Sequence, residues 1–105
     1  MPLDFTAAQI GFDNRVGGTS NAASADDLHY VLFGKDGDGV YFEYDDQIHG
    51  GVDQVGGISV HPDHGIFTLI DRNTITVRRQ AGDPKWLEFL GSLRDVFPPA
   101  IVTGA

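Results

Sequence analysis

The chain has 105 residues, 41% of them hydrophobic, with a formal net charge of -8 at pH 7 and no cysteine. We expect a single domain over residues 1–105, because this length supports one hydrophobic core. The charge argues against binding of nucleic acid or anionic membranes, whose phosphates attract clustered Lys and Arg. The absence of cysteine excludes disulfide bonds, a thiol nucleophile and a cysteine zinc site.

The acidic residues concentrate in the first two-thirds of the chain. Residues 1–71 contain twelve acidic residues against Arg15 and Lys35, whereas residues 72–105 contain five basic residues and three acidic ones. Such a field attracts and orients cationic partners, which makes a basic protein the expected partner. The alternative is that the charge serves solubility alone.

The N-terminal residues bear on cellular location. The segment MPLDFTAAQIGFD has neither a basic n-region nor an uninterrupted apolar h-region, and no apolar run in the chain is long enough to cross a bilayer. We therefore expect a cytoplasmic protein.

The first half of the chain predicts strands and one long loop. Residues 3–12 mix apolar and small side chains and favour a first strand, whereas residues 13–27 are rich in Gly, Ser, Asn, Ala and Asp and predict a flexible loop. Apolar runs at residues 28–34 and 40–45 stand on either side of KDGDG, which is typical of a β-hairpin.

The second half predicts further strands and one helix. Residues 58–70 indicate strand, turn and strand, and residues 75–79 indicate another strand. After Asp83, a predicted N-cap, one apolar stripe recurs at helical spacing, formed by Trp86, Phe89, Leu90, Leu93 and Phe97. Two prolines end this helix, and residues 98–105 are expected to be a frayed tail. The predicted fold class is α+β, a mostly antiparallel β meander of about five or six strands with one C-terminal helix packed on the sheet.

A group of polar residues accompanies the aromatic strand at residues 40–45. On a strand Tyr41, Glu43 and Asp45 share one face, while Phe42 and Tyr44 point to the other. Paired carboxylates near a histidine can perform acid/base chemistry or hold a divalent metal, but a solvated hairpin edge gives the same pattern. We interpret the group as a solvent-facing surface that binds a partner, formed by Tyr41, Glu43, Asp45, Asp46, Gln47 and His49.

A second group of polar residues stands at the turn HPDH. His61, Asp63 and His64 are residue types that bind transition metals, and a turn can bring the two imidazoles together. The alternative to a metal site is an ordinary polar turn. No serine lies in a nucleophile elbow, so the sequence predicts no catalytic residue and requires no cofactor.

The stretch YFEYDDQIHGGVDQVGGISV, residues 41–60, resembles the central signature of the Immunity protein 10 family of bacterial polymorphic-toxin systems. It has an aromatic strand that ends in Glu-x-x-Asp-Gln, a glycine-containing loop and a strand GISV, and WLEFLGSLRDVF is similar to the family's C-terminal helix. The positions that the resemblance carries over are Glu43, Asp46, Gln47 and Gly51. It implies a small cytoplasmic protein that binds and neutralises a cognate toxin.

The sequence therefore predicts a non-enzymatic immunity protein that meets a basic toxin with an acidic surface. Two alternatives come from other classes. One is a metal-binding domain or metal-dependent hydrolase that uses His61, His64 and the acidic strand. The other is a homo-oligomeric accessory domain, for instance a homodimer, whose sheet edge pairs with itself.

Overall fold

The computed structural model describes residues 3–13, 16–21, 28–45 and 51–104. Within these residues the chain forms ten strands and one helix. In chain order they are β1 Leu3–Ala7, β2 Gln9–Asp13, β3 Val16–Ser20, β4 Tyr30–Asp36, β5 Gly39–Tyr44, β6 Gly51–Val52, β7 Val55–Val60, β8 His64–Leu69, β9 Thr74–Arg79, α1 Trp86–Val96 and β10 Val102–Gly104. Among the described residues, no helix is long and apolar enough to span a membrane.

The strands form two five-stranded sheets. The first sheet has the order β1-β9-β8-β7-β10, in which β7, β8 and β9 make an antiparallel meander while β1 and β10 add to its edges in parallel. The second sheet runs β2-β3-β4-β5-β6 and is antiparallel throughout. The chain passes from the first sheet to the second at Ala8, directly between β1 and β2.

The hydrophobic core joins both sheets to the helix. Phe33 of the second sheet lies with its ring centroid 6.1 Å from that of Phe89 and 5.3 Å from that of Phe97. Phe67 of the first sheet lies 5.2 Å from Phe42 of the second and 6.3 Å from Phe97. Phe97 therefore contacts both sheets, and the closely packed rings stabilise the position of the helix against the two sheets.

The predicted apolar stripe of the helix is confirmed, because all five of its side chains are buried. The helix begins at Trp86, three residues after the expected cap. The Asp83 carboxylate accepts a hydrogen bond from the Lys85 backbone N–H at 2.9 Å, so it stabilises the turn that precedes the helix. At the other end the Phe97 N–H donates to the Leu93 carbonyl, and the following prolines prevent continuation.

The α+β class with mostly antiparallel strands and one C-terminal helix is confirmed, but the strand number was underestimated. Residues 3–12 form parts of two strands in different sheets. Residues 16–20, inside the predicted loop, form β3, because their backbone pairs with strands on both sides although glycines weaken the sequence signal. Residues 102–104, predicted as a frayed tail, pair with β7.

Candidate functional site

Strand register defines a surface on the second sheet, the outward face, that points away from the core. Phe33 pairs with Phe42 and both are fully buried, so their neighbours in each strand point to the opposite side. On that side Leu32 lies opposite Glu43, and Gly18 lies opposite Leu32. The outward face includes Gln9, Gly11, Gly18, Ser20, Tyr30, Leu32, Gly34, Tyr41 and Glu43.

A buried carboxylate occupies the centre of this face. Glu43 is only 6% exposed, and its Oε2 accepts a hydrogen bond from the Tyr30 hydroxyl at 2.6 Å. Its Oε1 accepts one from the Tyr41 hydroxyl at 2.5 Å. Tyr30 is the diagonal cross-strand neighbour of Glu43 and Tyr41 is its neighbour two positions along β5, which brings both phenols within reach. We name these three residues the Tyr–Glu–Tyr cluster.

The prediction that Glu43 faces solvent was wrong, although the prediction of its sheet face was right. The alternation correctly placed Glu43 away from the core, but the half-buried Tyr30 and Tyr41 cover it. Two hydroxyl donors compensate part of the cost of burying the carboxylate. A lysine at position 43 would bury an ammonium group that has no carboxylate partner there. Charge reversal of Glu43 would therefore destabilise the fold as well as change the charge of the surface.

The hydrogen bond also affects the tyrosine. The bond to the Glu43 carboxylate raises the pKa of Tyr41, with smaller contributions from burial and from the negative charge itself. Ionised Tyr41 would lose its donor and place two negative charges side by side. The phenol therefore stays protonated to higher pH than an ordinary tyrosine.

Asp45 lies outside the Tyr–Glu–Tyr cluster and has a structural role at the end of the hairpin. Its backbone has a φ of 39°, which turns the chain out of the strand. Its carboxylate accepts a hydrogen bond from the Tyr30 backbone N–H at 3.2 Å and lies 3.0 Å from Nδ1 of His29. These contacts fix the start of β4 against the end of β5. The predicted partner-binding residues Asp46, Gln47 and His49 lie outside the described residues.

An open groove of about 1010 Å³ lies beside the cluster. Its lining comes from β2, β3, the first half of β4 and the segment before the helix, and it includes Tyr30 and Leu32 of the outward face. A Cβ at Gly11, another lining residue, would meet no atom within 4 Å, so a larger side chain there would extend into open space. The other lining residues are Ala8, Gln9, Ile10, Gly17, Gly18, Thr19, Ser20, Val31, Gln80, Ala81, Gly82, Asp83 and Lys85.

The structure does not bring His61, His64 and Asp63 together as a ligand set. The two imidazoles stack with centroids 4.3 Å apart and planes at 10°, so their nitrogens do not converge on one point. Nε2 of His61 lies 2.8 Å from the Ser59 hydroxyl, and Nδ1 of His64 lies 2.6 Å from Asp63 Oδ1. The His64 hydrogen bond lowers the pKa of Asp63. In the part of the chain that the structure describes, no three His, Asp or Glu side chains are grouped as metal ligands.

Sequence reasoning missed Tyr30 and His29 as members of the site. The alternation of LHYVLFG places Tyr30 on the same side as Leu32, which was visible in the sequence. Their hydrogen bonds to Glu43 and Asp45 depend on the register of β4 against β5. The turn KDGDG fixes that register in the structure, but its sequence is compatible with more than one register.

Comparisons of the chain with protein-family models, with curated proteins and with solved structures gave no match. The resemblance at residues 41–60 therefore stays a hypothesis, and the function is argued from the residues of this chain.

Proposed function

We propose that this chain is a non-enzymatic protein that binds and neutralises a cognate basic toxin in the cytoplasm of the cell that produces it. The observation that carries the proposal is the Tyr–Glu–Tyr cluster beside the groove on the outward face. Two half-buried tyrosines are held in fixed positions there by one carboxylate. Tyrosine offers a large contact area at low entropic cost, and it is enriched among residues that dominate protein interfaces.

The charge supports a basic partner. Residues 9–52, which span the five strands of the second sheet, contain eight of the fifteen acidic residues and only two basic ones. An acidic protein gains association rate and orientation when it meets a basic surface, such as the substrate groove of a nuclease. The charge of a basic partner is therefore complementary to that of the segment that forms the second sheet.

The structure changes the role proposed for each residue. Glu43 is a positioning residue, because it is buried and acts through the two hydroxyls. Tyr30 and Tyr41 become the proposed contact residues of the described part of the chain. Asp45 holds the end of the hairpin through Tyr30 and His29, so it supports the surface from one side.

The experiment starts with capture from the organism that produces the protein, using the tagged chain as bait. The captured protein must be basic, stoichiometric and toxic when expressed alone, and co-expression of this chain must restore growth. The groove is then closed with Gly11→Leu, and Gly91→Leu on the exposed side of the helix is the matched control. A Cβ meets no atom within 4 Å at either position, so both variants should fold.

We expect the Gly11→Leu variant to lose rescue and to bind the toxin about tenfold or more weakly, equivalent to about 1.4 kcal/mol. The Gly91→Leu variant should match the wild type. Equal rescue by both variants would remove the groove from the binding surface. A captured partner that is not toxic would contradict the toxin-neutralising function, and a self-association that persists without any partner would favour the homo-oligomer instead.

A further inference from the structure

We infer that the Tyr–Glu–Tyr cluster recognises an arginine side chain of the partner, which lies against the tyrosine rings above the buried carboxylate. This inference rests on the proposed function, because it specifies the contact that a basic partner makes. It assigns a chemical class to the ligand of one site: a planar guanidinium.

The first step concerns the charge of Glu43. A carboxylate has about four lone-pair positions, and the two tyrosine hydroxyls use one on each oxygen. Within residues 3–13, 16–21, 28–45 and 51–104, no Lys or Arg forms a salt bridge with Glu43. Asp45, which follows the same strand, lies 3.0 Å from Nδ1 of His29. Among the described residues, neither carboxylate is therefore paired with a Lys or Arg side chain.

The second step concerns the tyrosines. Both hydroxyls converge on one carboxylate, and the register places the two phenols on either side of Glu43 along the strands. A phenol that donates to a carboxylate becomes richer in electrons, and the face of such a ring attracts cations. The buried charge adds to this attraction from below, because a partly desolvated site screens it less than bulk water does.

The third step selects arginine among cations. The guanidinium is planar, weakly hydrated and permanently charged, so it stacks on an aromatic ring at low desolvation cost. The open groove beside the cluster is lined by Tyr30 and Leu32 of the outward face. A long side chain that lies in this groove can therefore reach the ring of Tyr30.

The test titrates the whole chain with two capped tripeptides, acetyl-Gly-Arg-Gly-amide and its citrulline analogue. Citrulline has nearly the shape of arginine but no charge. Binding is followed by NMR of the tyrosine ring signals, for wild type, Glu43→Gln and Glu88→Gln. The Glu88→Gln variant removes the same charge from an exposed position of the helix, so it reports the general effect of charge.

We expect the arginine peptide to bind wild type in the millimolar range and to bind Glu43→Gln about five- to tenfold more weakly. The citrulline peptide should bind at least about tenfold more weakly than arginine, and Glu88→Gln should stay within about twofold of wild type. Tyr41→Leu is the second variant if Glu43→Gln does not fold, and it should lose binding because one ring is gone. Burial of the single tryptophan, Trp86, gives a fluorescence check of folding for every variant.

Three results would overturn the inference: equal weakening by Glu43→Gln and Glu88→Gln, equal binding of both peptides, or ring signals that do not respond. Failure here is distinguishable from failure of the proposed function. If toxin capture and rescue succeed while the peptides show no preference, the partner binds without an arginine in the cluster. If the arginine preference is found but no toxic partner exists, the recognition site stands and the toxin-neutralising function fails.

Discussion

Replacing Gly18 by alanine tests the strand register that assembles the outward face. A Cβ at Gly18 would lie 2.9 Å from the Val31 carbonyl oxygen and 3.3 Å from Cδ1 of Leu32. Ordinary contacts between carbon and oxygen are about 3.3–3.6 Å, so β3 and β4 must move apart by several tenths of an ångström. Its cross-strand neighbour Gly11 is the matched control, because a Cβ there meets nothing within 4 Å.

The magnitudes follow from these distances. Overpacking of this kind lowers the free energy of unfolding by about 1–3 kcal/mol. The lower entropy of the unfolded alanine chain raises it by about 0.4–1 kcal/mol. We expect Gly18→Ala to lower the free energy of unfolding by up to about 2.6 kcal/mol and to be about 1–3 kcal/mol less stable than Gly11→Ala, which has the same entropic gain without the overpacking. Gly11→Ala should leave the free energy of unfolding unchanged or raise it by about 0.4–1 kcal/mol.

Urea unfolding followed by Trp86 fluorescence measures this difference, because Trp86 is the single tryptophan and is 1% exposed. The two midpoints should separate clearly at unchanged slope. Coincident midpoints for the two variants would refute the register that places Leu32 between Gly18 and Glu43.

Three further predictions test other parts of the structure. Gly104→Ala should detach the last strand, because Gly104 has a φ of 103° and a new Cβ would overlap the Val60 carbonyl. Hydrogen exchange of β10 should become faster, while the free energy of global unfolding falls by no more than about 3 kcal/mol. The Tyr41 pKa is raised in the folded state, so its stabilising contribution is complete below pH 10 and is lost as pH rises through the folded pKa. In alkaline unfolding, the stability advantage of wild type over Tyr41→Phe should therefore be constant below pH 10 and shrink above it, and an advantage that grows with pH would contradict the hydrogen bond. Phe97→Ala should cost about 3–5 kcal/mol in thermal unfolding, because the ring contacts both sheets, and a loss below about 1 kcal/mol would contradict this packing.

The elements that sequence reasoning predicted well depend on local signals. The helix combines a five-residue apolar stripe with two terminal prolines, so its spacing alone identifies the buried face. The hairpin of β4 and β5 has two apolar runs around Gly37, whose φ of 60° the glycine supplies without strain. Both features join residues that are close in the sequence.

The elements that sequence reasoning missed depend on distant partners. β3 contains two adjacent glycines and gains its order from strands on both sides. The C-terminal strand pairs in parallel with a strand more than forty residues earlier, Thr103 beside Ser59, and no local pattern reports such a partner. The segment predicted as one strand is interrupted at Ala8, and its two halves belong to different sheets. This is one reason why the strand number was underestimated.

The candidate site was half predictable for the same reason. Period-two alternation correctly placed Glu43 and Tyr41 on the face opposite Phe42. Alternation states which side a residue faces but not what covers that side. Glu43 is buried and accepts a hydrogen bond from Tyr30 on the neighbouring strand, and that contact requires the cross-strand register.

Hydrogen exchange of the chain with and without its captured toxin tests the central claim most directly. The claim predicts that protection rises on β4 and β5 around Tyr30, Leu32 and Tyr41, and on the groove strands β2 and β3, while the exposed side of the helix stays unchanged. Protection confined to the helix or to the first sheet, with these residues unaffected, would contradict the claim that the outward face is the binding surface.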